Sequence, residues 1–336
     1  MTKRVGKQTL YLPSCPAVAG YAGVVGKKEG EGPLGSRFDY IAEDSYFGEK
    51  SWEKAESHML KQCFSLACDK AIIPASELDY ILAGDLLNQC VSSSFAMRDS
   101  NLPYLGLYGA CSTMAESLSL GAILLDGGFA SSVCALTGSH FCSAERQYRY
   151  PLEYGGQRTP SSQWTVTGAG ALVLSGQGKI RVTHVTHGRI VDAGIKDPNN
   201  MGSAMAPAAF DTLRAHFRDT GRSPGDYDAI VTGDLGALGH DILEALFKAD
   251  QVDLGPCYMD CGVLIYDLTT QEVNAGGSGC GCSASVLCGH ILKGMEDGVW
   301  NRVLFAATGA LMSPTSSQQG ESIPGICHAV VLEREA

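Results

Sequence analysis

The chain of 336 residues has no uninterrupted apolar run long enough to cross a bilayer. Any hold on a membrane is therefore expected to come from something other than its own helices. It opens without the charged and then apolar leader of a secreted protein. No Cys-x-x-Cys pair occurs among its thirteen cysteines. Cys280-Gly-Cys282 with Cys288, and Cys257 with Cys261, lack the paired spacing and neighbouring histidines of a zinc site. The expectation is reduced, mostly buried thiols, with no metal and no cofactor. Charge is sparse at 18% and leans acidic, to a net −11. Binding a phosphate backbone needs clustered lysine and arginine, so nucleic acid is excluded as a partner. Linkers and low-complexity stretches are absent as well.

What is present is ample core material, with 45% hydrophobic residues and 41 glycines. So many glycines in an otherwise ordinary composition imply close helix packing and tight turns. The length suits either two domains or one fold made of two similar halves, and internal similarity favours the second. Asp79-Tyr-Ile-Leu-Ala-Gly-Asp-Leu86 recurs as Asp228-Ala-Ile-Val-Thr-Gly-Asp-Leu235. Each copy follows an amphipathic helix: Trp52 to Ala71, closed by Pro74, and Ala206 to Asp219, closed by Gly221 and Pro224.

A second echo follows each copy. Ala110-Cys-Ser-Thr, a helix to Leu125 and a strand from Val133 ending in Thr137-Gly138 are matched in the other half. There the series is Gly281-Cys-Ser-Ala, a helix from Val286 to Met295 and a strand from Val303 ending in Thr308-Gly309. Further strands are predicted at Gly168 to Leu174, Ile180 to Thr186 and His328 to Glu333. Helices alternating with short apolar strands define an α/β fold with layered sheets. The halves are placed at residues 1–178 and 179–336.

Cys111 is the most informative residue on sequence grounds. It sits where the strand-like run from Leu102 breaks at Gly109-Ala-Cys-Ser and an almost uncharged helix, Thr113 to Leu125, begins. A cysteine on such a bend is presented to a ligand, and a helix N-terminus favours a thiolate or a bound anion. The alternative is a small buried cysteine beside a tight turn.

Four features together resemble the thiolase and ketoacyl synthase superfamily. They are the duplicated plan, the Gly-Ala-Cys-Ser bend, the strand Thr167-Gly-Ala-Gly-Ala-Leu-Val-Leu and the segment Gly276-Gly-Ser-Gly-Cys-Gly-Cys-Ser-Ala. The resemblance implies a five-layered α/β/α/β/α thiolase-like fold of two duplicated halves, and a homodimer paired through the sheet region near the cysteine bend. Three longer stretches resemble one branch, the stage V sporulation protein AD family of spore-forming bacteria. These are Gly138-Ser-His-Phe-Cys-Ser-Ala-Glu-Arg-Gln-Tyr-Arg-Tyr-Pro, Trp164-Thr-Val-Thr-Gly-Ala-Gly and Met201-Gly-Ser-Ala-Met-Ala-Pro-Ala-Ala.

That likeness implies a protein that binds dipicolinate, pyridine-2,6-dicarboxylate, during its uptake into the developing spore and its release in germination. The ligand is either free or a calcium chelate. The partners implied are the other stage V sporulation A membrane proteins, with the chain in the cytoplasm, peripheral to the forespore or spore inner membrane.

In condensing enzymes of the superfamily, histidine or asparagine partners assist the bend cysteine. Here the glycine-rich segment carries Cys280 and the strand end carries Asp234 at the positions where those partners are expected. A donor aimed at the developing oxyanion is worth about 3 kcal/mol of barrier, and a thiol or carboxylate replaces it poorly. The chain is therefore expected to bind rather than catalyse. The competing reading is an acyltransferase or thioester hydrolase using Cys111, with His140, His187 or His240 as replacement base.

Ligand-binding candidates are Cys111, His140, Arg146, Arg149, Asp234 and Cys280. If the run from His140 to Tyr150 is extended, Arg146 shares a side with Tyr148 and Tyr150, and Arg149 with Gln147. The same run also reads as a solvated loop or dimer contact. Asp126, Asp234 or Glu145 would matter for a calcium chelate. Gly26-Lys-Lys-Glu-Gly-Glu-Gly-Pro-Leu is expected to be a mobile polar loop, a lid or docking surface, and Met201 to Pro207 a helix entry. Gly277-Ser-Gly279-Cys-Gly281 lacks the spacing and downstream acid of a dinucleotide loop.

Overall fold

The computed structural model describes residues 3–148 and 158–335. The first repeat contains strands β1 (Thr9–Tyr11) and β2 (Ala17–Val25), helix α1 (Lys27–Gly30), β3 (Tyr40–Ile41), α2 (Trp52–Ala71) and β4 (Tyr80–Gly84). It continues through α3 (Val91–Met97), β5 (Tyr104–Gly106), α4 (Thr113–Asp126), β6 (Val133–Ser139), α5 (Phe141–Tyr148), β7 (Trp164–Thr165) and β8 (Gly168–Ser175).

The second repeat runs from β9 (Ile180–Thr186) through α6 (Met201–Thr220), β10 (Ala229–Thr232), α7 (Gly236–Ala249), β11 (Tyr258–Asp260) and α8 (Cys261–Leu264). It ends with β12 (Gly277–Ser278), α9 (Cys280–Val286), α10 (Leu292–Glu296), β13 (Arg302–Ala310), α11 (Pro314–Gln318) and β14 (Gly325–Arg334).

The duplication read from the sequence is visible in the strand order. One half-sheet runs β5-β4-β6-β8-β2 and the other runs β11-β10-β13-β14-β9. In both, the first three strands are parallel and the last two pairings antiparallel. The half-sheets join where Ala17 and Val18 of β2 meet Arg181 and Ile180 of β9.

Between them lies α4, touching β4, β6 and β8 on one side and β13 and β14 on the other. Beside α4 runs the helix that starts as α9, passes through one π-helical stretch at Leu287–Ile291 and ends as α10. On the outside, α2 covers β2 and β8, while α6, with α7 against it, covers β13 and β14. These are the five layers of a thiolase-like fold.

The packing follows from residue spacing. On α2, Ala55, Met59, Leu60, Cys63, Phe64 and Ala67 are buried together, the stripe of a helix lying on a sheet. Each fully buried Leu, Met or Phe contributes about 1.5–3 kcal/mol. Ser51 caps the helix by accepting from Lys54 N at 3.4 Å, and Ile72 in the left-handed region closes it. Glycine serves helix contact in the other outer layer. A Cβ on Gly239 of α7 would lie 2.9 Å from Gly202 Cα of α6, so the two helices approach where neither has a side chain.

Four expectations need correction. α6 starts at Met201, five residues before the predicted start, because Asn200 caps it and accepts from Ser203 N at 3.4 Å. Met201 to Pro207 is thus the expected helix entry, with Pro207 in its second turn. The helix predicted from Val286 begins at Cys280. The run after His140 is not extended: α5 spans Phe141–Tyr148. The Gly26 segment is a tethered element and not an open loop. Its α1 buries Glu29, which accepts from Tyr266 Oη and from Thr167 N. Among the described residues, no helix is long and apolar enough to cross a membrane.

Candidate functional site

The bend at Cys111 is stapled by its own polar groups. Ser112 Oγ donates to Gly109 O at 2.6 Å, Thr113 Oγ1 to Ala110 O at 2.7 Å, and Gly109 N to Thr113 Oγ1 at 3.1 Å. Ala110 takes a left-handed φ of 49°, a conformation an alanine holds only under tight constraint. The bend packs directly on β13, where a Cβ at Gly309 would fall 2.4 Å from Gly109 O. Cys111 is thereby fixed at the centre of the molecule, 6% exposed.

The second repeat brings Asp234 and Cys280 to the same place. Asp234, just past the end of β10, is fully buried and receives three donors. Thr308 Oγ1 reaches Oδ1 at 2.8 Å, and Gly279 N and Ser278 Oγ reach Oδ2 at 2.8 and 3.4 Å. Gln163 Nε2 donates to Asp234 O and to Gly277 O, both at 2.7 Å, pinning the two loops together. Gly279 has φ +100°, which an L side chain rarely adopts, and this turn aims its N–H at the carboxylate. Cys280 Sγ donates to Gly138 O at 3.0 Å.

Burial decides the protonation states. Desolvation, reinforced by the Asp234 charge, raises the Cys111 thiol well above its ordinary value. The helix N-terminus does not produce the thiolate it was expected to favour, since desolvation and a nearby anion outweigh a terminal partial charge. Cys280 is raised as well, first by burial and then by Cys111 and nearby carboxylates. Burial pushes Asp234 up to about 7 despite its donors.

Over this floor opens a small cavity. Tyr108, Cys111, Glu145, Tyr148, Ser278 and Met312 are among its lining. Tyr108 and Tyr148 share a hydrogen bond of 2.9 Å between their hydroxyls, and Tyr148 donates to Leu86 O at 2.6 Å. Glu145 pairs with Arg158 at 2.9 Å and accepts from Thr165 Oγ1 at 3.0 Å. Arg158 in turn lies over the rings of Trp164 and Phe141, which stack at 4.0 Å.

Of the six candidates, Cys111, Asp234 and Cys280 converge. His140 is fully buried elsewhere. Its Nε2 bonds to Ser45 O at 2.7 Å, its Nδ1 accepts from Cys142 N at 3.2 Å, and burial lowers its pKa to about 4. Arg146 turns outward, because helical rather than extended spacing carries it to Glu53 and over the Trp52 ring. Arg149 lies outside the described residues, as does Tyr150.

The other two bases considered are also accounted for: His187 bonds Ser119 Oγ at 3.2 Å, and His240 stacks on Tyr258. Neither lines the cavity among the described residues. Asp126 sits at the far end of the 14-residue α4, about 20 Å along the helix from the bend, held by Lys3 and Ser14. Sequence reasoning missed Tyr108, Arg158, Met201, Thr165, Ser278 and Met312 as parts of this site. They come from six separate segments, and no local spacing connects them.

Solved structures share this architecture. The chain matches 3-oxoacyl-[acyl-carrier-protein] synthase III from Aquifex aeolicus VF5 with a TM-score of 0.58 at 13% identity, covering 95% of this chain and 99% of that one. It matches Xanthomonas campestris OleA, in a C143S form with bound lauric acid and lauroyl-CoA, with a TM-score of 0.58 at 14% identity, covering 95% and 99%. The molecule therefore has the thiolase-like fold. Within that class, residues 6–333 match the family model for stage V sporulation protein AD. The chain is 47% identical over 334 residues to stage V sporulation protein AD of Bacillus subtilis (strain 168), covering 99% of this chain and 98% of that protein. The chain belongs to the stage V sporulation protein AD family.

Proposed function

We propose that the cavity over Cys111 binds dipicolinate and is not a reaction centre, and that the protein serves the ligand's uptake into the developing spore and its release in germination. One observation carries this reading. The cysteine at the superfamily's nucleophile position is buried near a buried carboxylate, which with the burial raises its thiol, and no imidazole lines the cavity with it among the described residues. A thiol held that way is a weak nucleophile, since the thiolate is the reacting form. Among the described lining residues there is no histidine, asparagine or lysine to relay a proton or steady an oxyanion.

Two tyrosines offer flat faces to a pyridine ring, and the Ser278 hydroxyl is within the lining for a carboxylate. Arg158, behind Glu145, is the nearest described guanidinium in contact with the cavity wall and suits bidentate carboxylate recognition. Family membership supports the setting in sporulation.

The reading includes a homodimer and docking on the other stage V sporulation A membrane proteins. β5 is the outer strand of its half-sheet, with Leu105 and Tyr108 each 43% exposed, and suits pairing with a second copy. The test is calorimetry of the purified protein with dipicolinate, with and without Ca²⁺, on wild type, Cys111→Ala and Asp234→Asn. Absence of saturable binding to the wild type rejects the reading. A covalent adduct on Cys111 after exposure to an acyl thioester, seen by mass spectrometry, would establish the acyl-transfer alternative instead.

A further inference from the structure

Away from the cavity, His240, Asp241 and Glu244 on α7 place one ligand atom each within 4.8 Å of one another. His240 and Glu244 are one turn apart and share a face of the helix. Asp241 adds its carboxylate from the side, 3.3 Å from His240 Nδ1.

The imidazole is held in advance. Its ring stacks on Tyr258 with centroids 4.4 Å apart and planes within 7°. Tyr258 is itself buried and bonded to Thr232 Oγ1 at 3.3 Å. Because the ring is fixed by this stack, binding a metal orders only the two carboxylates. Their surroundings are anionic: buried Asp260 lies close enough to feel the charge on His240. Lys248 meets Glu244 at 3.7 Å in an exposed pair that a divalent ion displaces at little cost.

We propose that His240, Asp241 and Glu244 form a surface site for a divalent transition-metal ion of the Zn²⁺ or Co²⁺ class. One imidazole with two carboxylates suits such ions, whereas Ca²⁺ and Mg²⁺ take oxygen ligands. Metal–ligand bonds of about 2.0–2.2 Å require the donors to draw together slightly from their present spacing. Asp241 is largely exposed and free to move. The remaining coordination positions stay open to water or to a ligand from a partner.

The test is titration of the metal-freed full chain with Co²⁺, followed by absorption and calorimetry. Thiolate ligation gives intense charge-transfer absorption that an imidazole and carboxylate set lacks, so the thirteen cysteines do not confuse the result. The expected outcome is one saturable Co²⁺ without that band. Affinity should fall by at least roughly tenfold in His240→Ala, the loss already seen when only an outer-shell partner is removed, and should weaken in Glu244→Gln. Both variants should keep the wild-type unfolding midpoint. No saturable binding at millimolar Co²⁺, binding that survives His240→Ala, or a thiolate band would each overturn the proposal.

Discussion

Cys111 of the first repeat and Asp234 of the second are buried together at the cavity floor. Burial raises the pKa of both, and the Asp234 charge raises the thiol further. Replacing the carboxylate while keeping an acceptor, as in Asp234→Asn, removes the anion that holds the thiol neutral. The Cys111 pKa should then drop, because the anion that adds to its burial is gone. Alkylation of Cys111 by iodoacetamide at pH 8, followed by peptide mass spectrometry, should be about tenfold or more faster in the variant. Equal rates in the two proteins would show that burial alone sets the thiol.

The close approach of the bend to β13 leaves no room at Gly309. In Gly309→Ala the new methyl would press on backbone atoms, Gly109 O at 2.4 Å and Ser112 N at 3.0 Å, which cannot rotate away. Overpacking of this kind costs about 1–3 kcal/mol. Urea denaturation should show that loss, and the same variant should lose ligand binding because the Cys111 bend moves.

How much of this arrangement the sequence discloses depends on the range of the interactions involved. The repeat was legible because both copies need the same strand, the same bend and the same buried helix, so Gly84-Asp-Leu and Gly233-Asp-Leu could be matched by eye. Asp234 and Cys280 were legible because they stand where partners of the bend cysteine belong in related enzymes. The conformation of the run after His140 was not legible from its charges. Its arginines suggested a ligand, while the apolar spacing of Phe141, Ala144 and Tyr148 is helical and sends Arg146 to Glu53. Glu29 gave no local sign of burial, because its partners Thr167 and Tyr266 are more than a hundred residues away.

His216 is buried with Nδ1 2.7 Å from Thr186 Oγ1 and Nε2 2.6 Å from Tyr227 Oη. Burial, helped by His184 and Arg222, lowers its pKa to about 3. An unfolded histidine takes its proton near 6.5. Folded-state stability is therefore full above that pH and is lost as pH falls from about 6.5 toward 3. His216→Gln should reduce the slope of unfolding free energy against pH, between pH 4 and 6, by about 1.4 kcal/mol per pH unit, the value for one proton. An unchanged slope would place the acid sensitivity elsewhere.

The β5 edge supplies a test of assembly. Leu105 is exposed on an outer strand and touches no functional group of the cavity. A lysine there adds charge where a second copy would pair, one of the ways natural edge strands avoid association. Leu105→Lys should shift the protein from dimer to monomer in light scattering coupled to size exclusion, with the unfolding midpoint of the monomer little changed. A wild type that is monomeric at every concentration removes this part of the proposal.

Asp234 also makes ligand binding depend on pH in a direction that can be worked out. Its carboxyl titrates at about 7, raised mainly by burial, so it is neutral at pH 6 and charged at pH 8. Dipicolinate carries two carboxylates, and a charged Asp234 beneath the cavity repels them, whereas a protonated one does not. Binding therefore takes up a proton above the titration point, and the dissociation constant should fall as pH is lowered from 8 to 6, by at most about tenfold per pH unit. In Asp234→Asn the side chain is neutral throughout, so affinity should be flat over the same range and close to the wild-type value at pH 6. If wild type and variant show the same profile, Asp234 does not face the ligand. If the wild type binds more tightly at pH 8, the ligand arrives with its charge already neutralised by a cation, and calcium in the titration becomes the deciding variable.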